Sequence, residues 1–250
     1  MSLFPIISPG GGGNSYVCDA VVFDGTNDWI GRASNLTGVV DGKSATGQFS
    51  VKMGASTDGS AYTLYYNGGG YGELQRLASN KLQLKFYEAT GQVIKLSLVS
   101  TTSIVEADNW VTYTWSFNVA TAAGQLLRDG VDDLASSTLT DEDLAFNRST
   151  HTIAGHDNSS AQFLGEIADF WMLFNEYDDI GTNVANYFLD GKPTDPGATG
   201  TNFTGTQPHL LHHLGAGEGT PDTNYAANAG SGGSMTLSGA LSVAGTSPTD

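Results

Sequence analysis

The sequence predicts an all-β protein, a sandwich or barrel of antiparallel strands with only short connector helices. Three observations lead there. Apolar and polar residues alternate along several runs, clusters rich in Gly, Asp and Asn separate those runs about every ten residues, and no long stretch carries the apolar period of a helix. Composition agrees: 33 of the 250 residues are Gly, and only 14% are Asp, Glu, Lys or Arg. A chain of this length buries a core without disulfides, and the single cysteine, Cys18, allows neither an internal disulfide framework nor a Cys-built zinc site.

Taken in order, Met1–Ile7 is apolar but short, is broken by Pro5 and lacks a basic start, so no signal peptide is read there. Pro9 and the glycines Gly10–Gly13 follow, and residues 1–16 are expected to form an arm outside the core. The period-two runs begin after Asp19. They include Phe49, Val51 and Met53; Leu82, Leu84 and Phe86; Ile94, Leu96 and Leu98; and Val111, Tyr113, Trp115 and Phe117. In the last run Thr112, Thr114 and Ser116 interleave, which predicts one face to the core and one to water. Turns are expected at Thr57-Asp58-Gly59, Asn67-Gly68-Gly69-Gly70, Thr90-Gly91 and Asp129-Gly130. Short helices are expected after a Thr140 N-cap and across Thr182–Leu189, stopped by Gly191 and Pro193. Further strands are expected within His209–Leu214 and Met235–Val243. The domain reading is therefore an arm (1–16), a sandwich (17–195) and a C-terminal β extension (196–250). That extension either adds to the sandwich or reaches a neighbouring subunit.

Ten Lys and Arg stand against 26 Asp and Glu, a net charge of −16. Residues 1–125 hold seven basic and nine acidic side chains, whereas residues 126–250 hold three and 17. Such acidity argues against gripping nucleic-acid phosphates, and no apolar run reaches the length needed for membrane insertion.

Four stretches, in this order, resemble the laminin G-like, concanavalin A-like jelly roll. They are Ala20-Val21-Val22-Phe23-Asp24-Gly25-Thr26-Asn27-Asp28-Trp29-Ile30, Asn109-Trp110-Val111-Thr112-Tyr113-Thr114-Trp115, Gln125-Leu126-Leu127-Arg128-Asp129-Gly130-Val131, and Phe163-Leu164-Gly165-Glu166-Ile167-Ala168-Asp169-Phe170-Trp171. The tail, from Tyr187-Phe188-Leu189-Asp190-Gly191-Lys192-Pro193 to Ser247-Pro248-Thr249-Asp250, is similar to structural proteins of tailed bacteriophages and phage-like particles that carry this jelly roll. The resemblance implies a virion protein assembled in a bacterial cytoplasm. It would be multicopy or oligomeric, with capsid or tail proteins as partners.

Several side-chain groups could carry chemistry. Endoglucanases on this fold align paired carboxylates on one strand face. Glu166 and Asp169, three apart, fall on opposite faces and fail that test. On a strand His209 and His213 share a face without His212, and no third metal ligand is indicated. Laminin G-like domains often hold calcium at the loop rim, which implies Asp24, Asp28 and Asp169 as oxygen ligands. Asp24 and Asp129 also suit Asx turns before glycine. Sugar recognition needs flat rings beside amide and carboxylate groups. Tyr65, Tyr66, Asn67 and Tyr71 around the triple-glycine turn, with His156, Asp157 and Asn158 in a second loop, meet that need. Trp110, Trp115 and Trp171 are expected in the core. The expected function is a non-enzymatic virion component, a capsid decoration or fibre-associated protein whose lectin-like domain adheres to host-surface glycan. The alternatives are a cement protein without ligand and a polysaccharide-degrading enzyme on the same fold.

Overall fold

The computed structural model describes residues 15–156, 162–218 and 220–250. All but the last two residues of the expected arm lie outside them. The first half of the chain forms β1 (Val21–Asp24), β2 (Trp29–Arg32), β3 (Ser44–Met53), β4 (Tyr62–Asn67), β5 (Gly72–Arg76), β6 (Lys81–Tyr87), β7 (Ile94–Ser103) and β8 (Val111–Asn118). Next come β9 (Ala123–Arg128), β10 (Val131–Asp132), β11 (Leu134–Leu139), β12 (His151–Ile153) and β13 (Leu164–Phe174). The tail supplies β14 (Phe188–Leu189), β15 (Lys192–Pro193), β16 (Leu210–His212), β17 (Thr236–Ser238) and β18 (Ser242–Val243).

These strands make two antiparallel sheets and one small hairpin. The first sheet runs β10-β9-β8-β3-β13-β1-β18, with β16 also paired to β13, and the second runs β11-β7-β6-β5-β4-β12-β2-β17. Strands β14 and β15 pair only with each other. The expected turns fall between strands, and left-handed φ at Asp129 (51°) and Gly130 (76°) gives the tight β9–β10 hairpin. The inward faces meet in one core. Phe49, Tyr113, Trp115, Phe117 and Phe170 from the first sheet pack on Tyr65, Leu74, Leu84, Phe86 and Leu98 from the second. This is the jelly-roll sandwich of two antiparallel sheets that the resemblance implies, and of the sandwich or barrel that the alternation allows it is the sandwich.

Four expectations need correction. Thr112, Thr114 and Ser116 do not face water; they are 3%, 2% and 0% exposed. The segment after β13 covers them, and Asp178 donates its backbone N–H to Ser116 Oγ at 3.0 Å and Thr46 Oγ1 at 3.2 Å. Residues 140–146 form no helix, because Leu144 makes β-bridges to Gly42 and Glu88 instead. Within Thr182–Leu189 only a 3-10 turn, Val184–Asn186, is helical, while one-turn helices form at α1 (Thr201–Thr204) and α2 (Pro221–Asn224). Trp110 is half-buried outside the core, packed by a small cluster of Cys18, Ala20 and Ala168; Trp115 and Trp171 are buried.

The C-terminal residues add to the sandwich. β17 pairs with β2, β18 pairs with β1, and Leu210, Leu214, Tyr225, Met235 and Leu241 enter the main core.

Candidate functional site

Side chains at odd positions of β5, β6 and β7 point away from the core, and they build the outer face of the second sheet. Glu73, Gln75, Gln83, Lys85 and Ser97 lie there, all half-buried. They are ordered by their own contacts: Gln75 Nε2 donates to Gln83 Oε1 at 2.9 Å, Gln83 Nε2 to Ser97 Oγ at 3.0 Å, and Lys85 pairs with Glu73 at 3.0 Å. Such a face is flat and polar, with its hydrogen-bonding groups already held in place.

Aromatic rings border it. Tyr71 follows the triple-glycine turn and meets Tyr87 edge-on at 6.4 Å, with the Arg148 guanidinium 4.5 Å from its ring centroid. A groove of about 270 Å³ opens beside them, lined by Gly69, Gly70, Tyr71, Glu73, Tyr87 and Gln92. On the next strand, Tyr66 stands opposite Glu73 and Thr152 but is only 3% exposed, because the His156 ring lies 3.8 Å from it, centroid to centroid. Across β12, Trp29 completes the border. A Cβ on Gly31 would lie 2.2 Å from the Trp29 ring, so glycine at 31 lets the indole lie down on the sheet. A second groove of about 210 Å³ runs past the indole, walled by Arg32, Thr150, Thr152 and Thr236. From Tyr87 on β6 to Trp29 on β2 the face crosses four strand spacings, roughly 19 Å.

Of the residues singled out for sugar recognition, Tyr66, Tyr71 and His156 come together on this face. Tyr65 and Asn67 do not. A bulge in β4 turns Tyr65 inward, where it is fully buried with its hydroxyl 2.9 Å from His151 Nδ1. Asn67 is equally buried, and its Nδ2 donates to Ala145 O while its backbone carbonyl receives the N–H groups of Gly70 and Tyr71. It roots the turn that presents Tyr71 and has no surface left for a ligand. Asp157 and Asn158 lie outside the described residues. Trp29 and Tyr87 were missed, although their parity with Gly31 and Lys85 gives them the same face.

The three aspartates implied for calcium are not brought together. Asp24 Oδ1 caps the backbone N–H groups of Thr26 and Asn27 in an Asx turn. Asp28 is 3% exposed and accepts the N–H groups of Asp24 and Ala240. Asp169 lies five residues along β13 from Leu164, the residue paired with Asp24. No group of three potential metal ligands occurs among the described residues. The histidines separate as well. His212 is buried against Tyr225 O and Met235, His209 Nδ1 faces the Phe174 N–H, and His213 pairs with Asp169. Burial holds His212 and His151 down to about 4, so both are neutral near pH 7. Glu166 is paired to Lys52 at 3.3 Å, while Asp169 sits under Tyr16 and His213.

No protein-family model matches the sequence, and no curated protein matches it significantly. Solved structures share its fold. A Bacteroides ovatus protein provisionally described as carbohydrate binding superposes with a TM-score of 0.60 at 11% identity, over 88% of this chain and 60% of that one. Coverage of that extent exceeds what residues 17–195 could supply, so part of the C-terminal extension is included in the likeness. A heptameric SAP-like pentraxin from Limulus polyphemus gives 0.50 at 10% identity, over 66% of this chain and 79% of that one. Mouse laminin α1 domains LG4-5 give a weaker likeness, 0.47 at 15% identity, over 70% and 48%. At these identities the likeness is one of fold alone, a jelly-roll sandwich.

Proposed function

We propose that the protein is a non-enzymatic carbohydrate-binding component of a phage-like virion, displayed as a capsid decoration or fibre-associated domain for adhesion to host-surface glycan. One observation carries the reading of the ligand: the outer face of the second sheet is polar, is left open to solvent among the described residues, and is edged by Trp29, His156, Tyr71 and Tyr87. Pyranose C–H faces stack on such rings, while Gln75, Gln83, Glu73 and Lys85 offer hydroxyl partners along the strand direction. A shallow face of this kind binds each chain weakly. Many copies on one particle raise the avidity without tight single sites. The likeness in fold to a protein provisionally described as carbohydrate binding supports the same reading. Its placement in a virion rests on the resemblance of the tail sequence.

A glycan array probed with the purified chain tests the ligand. Binding is expected, and it should be lost in Trp29→Ala and in a Tyr71→Ala, Tyr87→Ala double variant that keep their far-UV spectra. Wild-type protein that binds no glycan, or binding untouched by both variants, would overturn the reading. Antibody labelling of intact particles from an induced lysate tests the location; signal only in the particle-free fraction would remove the virion from the proposal.

A further inference from the structure

A second, larger cleft lies where residues 15–17 meet the C-terminal extension. It encloses about 860 Å³ and is bordered by residues 15–17, 195–198, 213–218 and 223–229. Its floor is the Tyr16 ring, stacked on His213 at 6.0 Å. Beneath them Asp169 is 1% exposed and stands at a bulge in β13 with a left-handed φ of 50°. Tyr16 Oη donates to Asp169 Oδ1 at 2.8 Å, and His213 Nδ1 lies 2.9 Å from the same oxygen. The buried carboxylate is thus aimed at the cleft floor, and its Oδ2 has no hydrogen-bond partner among the described residues. Because Nδ1 of His213 faces inward, the opposite edge of the ring faces the cleft.

The walls carry one sign of charge. Asp195 and Glu218 line the cleft, and no Lys or Arg does. Each carboxylate accepts a backbone N–H, from Gly197 and Gly215, and neither enters an ion pair among the described residues. Val17, Ala198, Ala216 and Ala227 supply apolar wall between them. An aromatic floor, unneutralised carboxylates and apolar sides suit a cation on an aliphatic stem.

We propose that this cleft binds a primary ammonium group on an aliphatic stem, of the lysine side-chain type, between Glu218, Asp195 and the Tyr16–His213 floor. The site is separate from the sugar face and stands or falls without it. His213 couples it to protons. Burial lowers the affinity of this imidazole for a proton, but the Asp169 hydrogen bond and charge, with Glu218 and Asp195 behind them, outweigh burial and raise it. The other groups around Asp169 are the Tyr16 and Tyr225 hydroxyls and the Cys18 thiol, all held protonated by burial and by its charge. A proton on His213 therefore already answers Asp169, and an arriving ammonium competes with it. Affinity should rise with pH through the His213 titration.

Calorimetry with Nα-acetyl-lysinamide, which stays charged across pH 5.5–8, tests this, with neutral Nα-acetyl-norleucinamide as the comparison. The charged probe should bind at least about tenfold tighter, more tightly at pH 8 than at pH 5.5, and should weaken about tenfold in Glu218→Gln. Both carboxylates are exposed, so an Asp195→Asn, Glu218→Gln double variant should fold and show no binding. No binding of the charged probe, equal binding of the neutral one, affinity that falls with pH, or binding that survives the double variant would overturn the proposal.

Discussion

On the first sheet the outward hydroxyls and amides of Thr46, Gln48, Ser50, Thr112, Thr114 and Ser116 are sealed, none more than 3% exposed. On the second, Gln75, Gln83, Lys85 and Ser97 occupy equivalent outward positions and still touch water. The same two-residue alternation built both. What differs is the chain that follows β13: Ile180, Tyr187 and Phe203 pack over Leu127, Trp171, Leu173 and Leu211 and make a second small core on the outside of the first sheet. The covered polar groups respond by pairing with each other, Thr46 with Ser116 and Ser50 with Thr112 at 2.8 Å, and Thr114 with Gln48 at 3.0 Å. Gln48 Nε2 alone of these groups is left without a partner among the described residues, and because all of them are buried the face offers a ligand no surface. The second face keeps its polar groups available, which is why binding is assigned there.

The sharpest way to break this contrast is to remove one indole from each face. Trp171 is 1% exposed and stacks on Phe203 at 4.7 Å and Tyr187 at 6.1 Å. Trp171→Ala should therefore cost about 3–5 kcal/mol in urea unfolding. Trp29→Ala, on the open face, should cost about 1 kcal/mol or less while abolishing glycan binding. Similar losses of stability from the two variants would mean that the second face is as structural as the first.

The alternation of Val111 to Phe117 was enough to locate a strand and its core side, because a period of two is a local property. It could not tell whether the other side meets water. That depends on a covering segment more than fifty residues away in sequence, so the burial of Thr114 was illegible. Tyr65 failed for a related reason: consecutive strand residues face opposite ways, the β4 bulge sets which of the two tyrosines points inward, and nothing in Tyr62-Thr63-Leu64-Tyr65-Tyr66 marks where the extra residue falls. Arg76 shows the limit again. It holds a core-parity position and is fully buried, which works only because Ile104 O, Thr57 O, Ser60 O and Asp58 converge on its guanidinium. The geometry of the proposed sugar face was half legible. Tyr71 followed from its glycine turn, whereas Trp29 was passed over as part of a strand. Asp169 was singled out as an oxygen ligand for calcium, whereas its bulge and its pairing with His213 are tertiary facts that the sequence does not show.

Acid should act on both sheets. His151 on β12 and His212 on β16 are fully buried, and burial lowers each from 6.5 to about 4. A folded value below the unfolded one means that the unfolded chain binds the proton first. Their contribution is complete above pH 6.5 and drains away as pH falls towards 4, at up to about 1.4 kcal/mol per pH unit for each. His213 runs the other way: its raised affinity for a proton favours the folded state at low pH, and that contribution is lost as pH rises. Denaturation at pH 6.5 and 5 should show a net fall of about 2–4 kcal/mol, and hydrogen exchange should quicken in β12 and β16 alike. Exchange that quickens in one sheet only would show that the two histidines do not load the faces equally.

The smallest expected effect on stability separates the faces most finely, because one substitution can be made on both. Gly31 and Gly47 each lie under a tryptophan, and neither has a left-handed φ, so alanine strains neither backbone. A Cβ at Gly47 would meet Trp115 at 2.4 Å and the Trp171 carbonyl oxygen at 2.8 Å, with no room for either to withdraw. Gly47→Ala should cost about 1–3 kcal/mol through overpacking. A Cβ at Gly31 meets mainly the Trp29 ring, at 2.2 and 2.7 Å, and that ring borders solvent. It can lift away. Gly31→Ala should leave the urea midpoint nearly unchanged, alter Trp29 fluorescence and weaken glycan binding as Trp29→Ala does. Binding that survives with the indole displaced would remove Trp29 from the site and leave the Tyr71–Tyr87 groove to carry it alone.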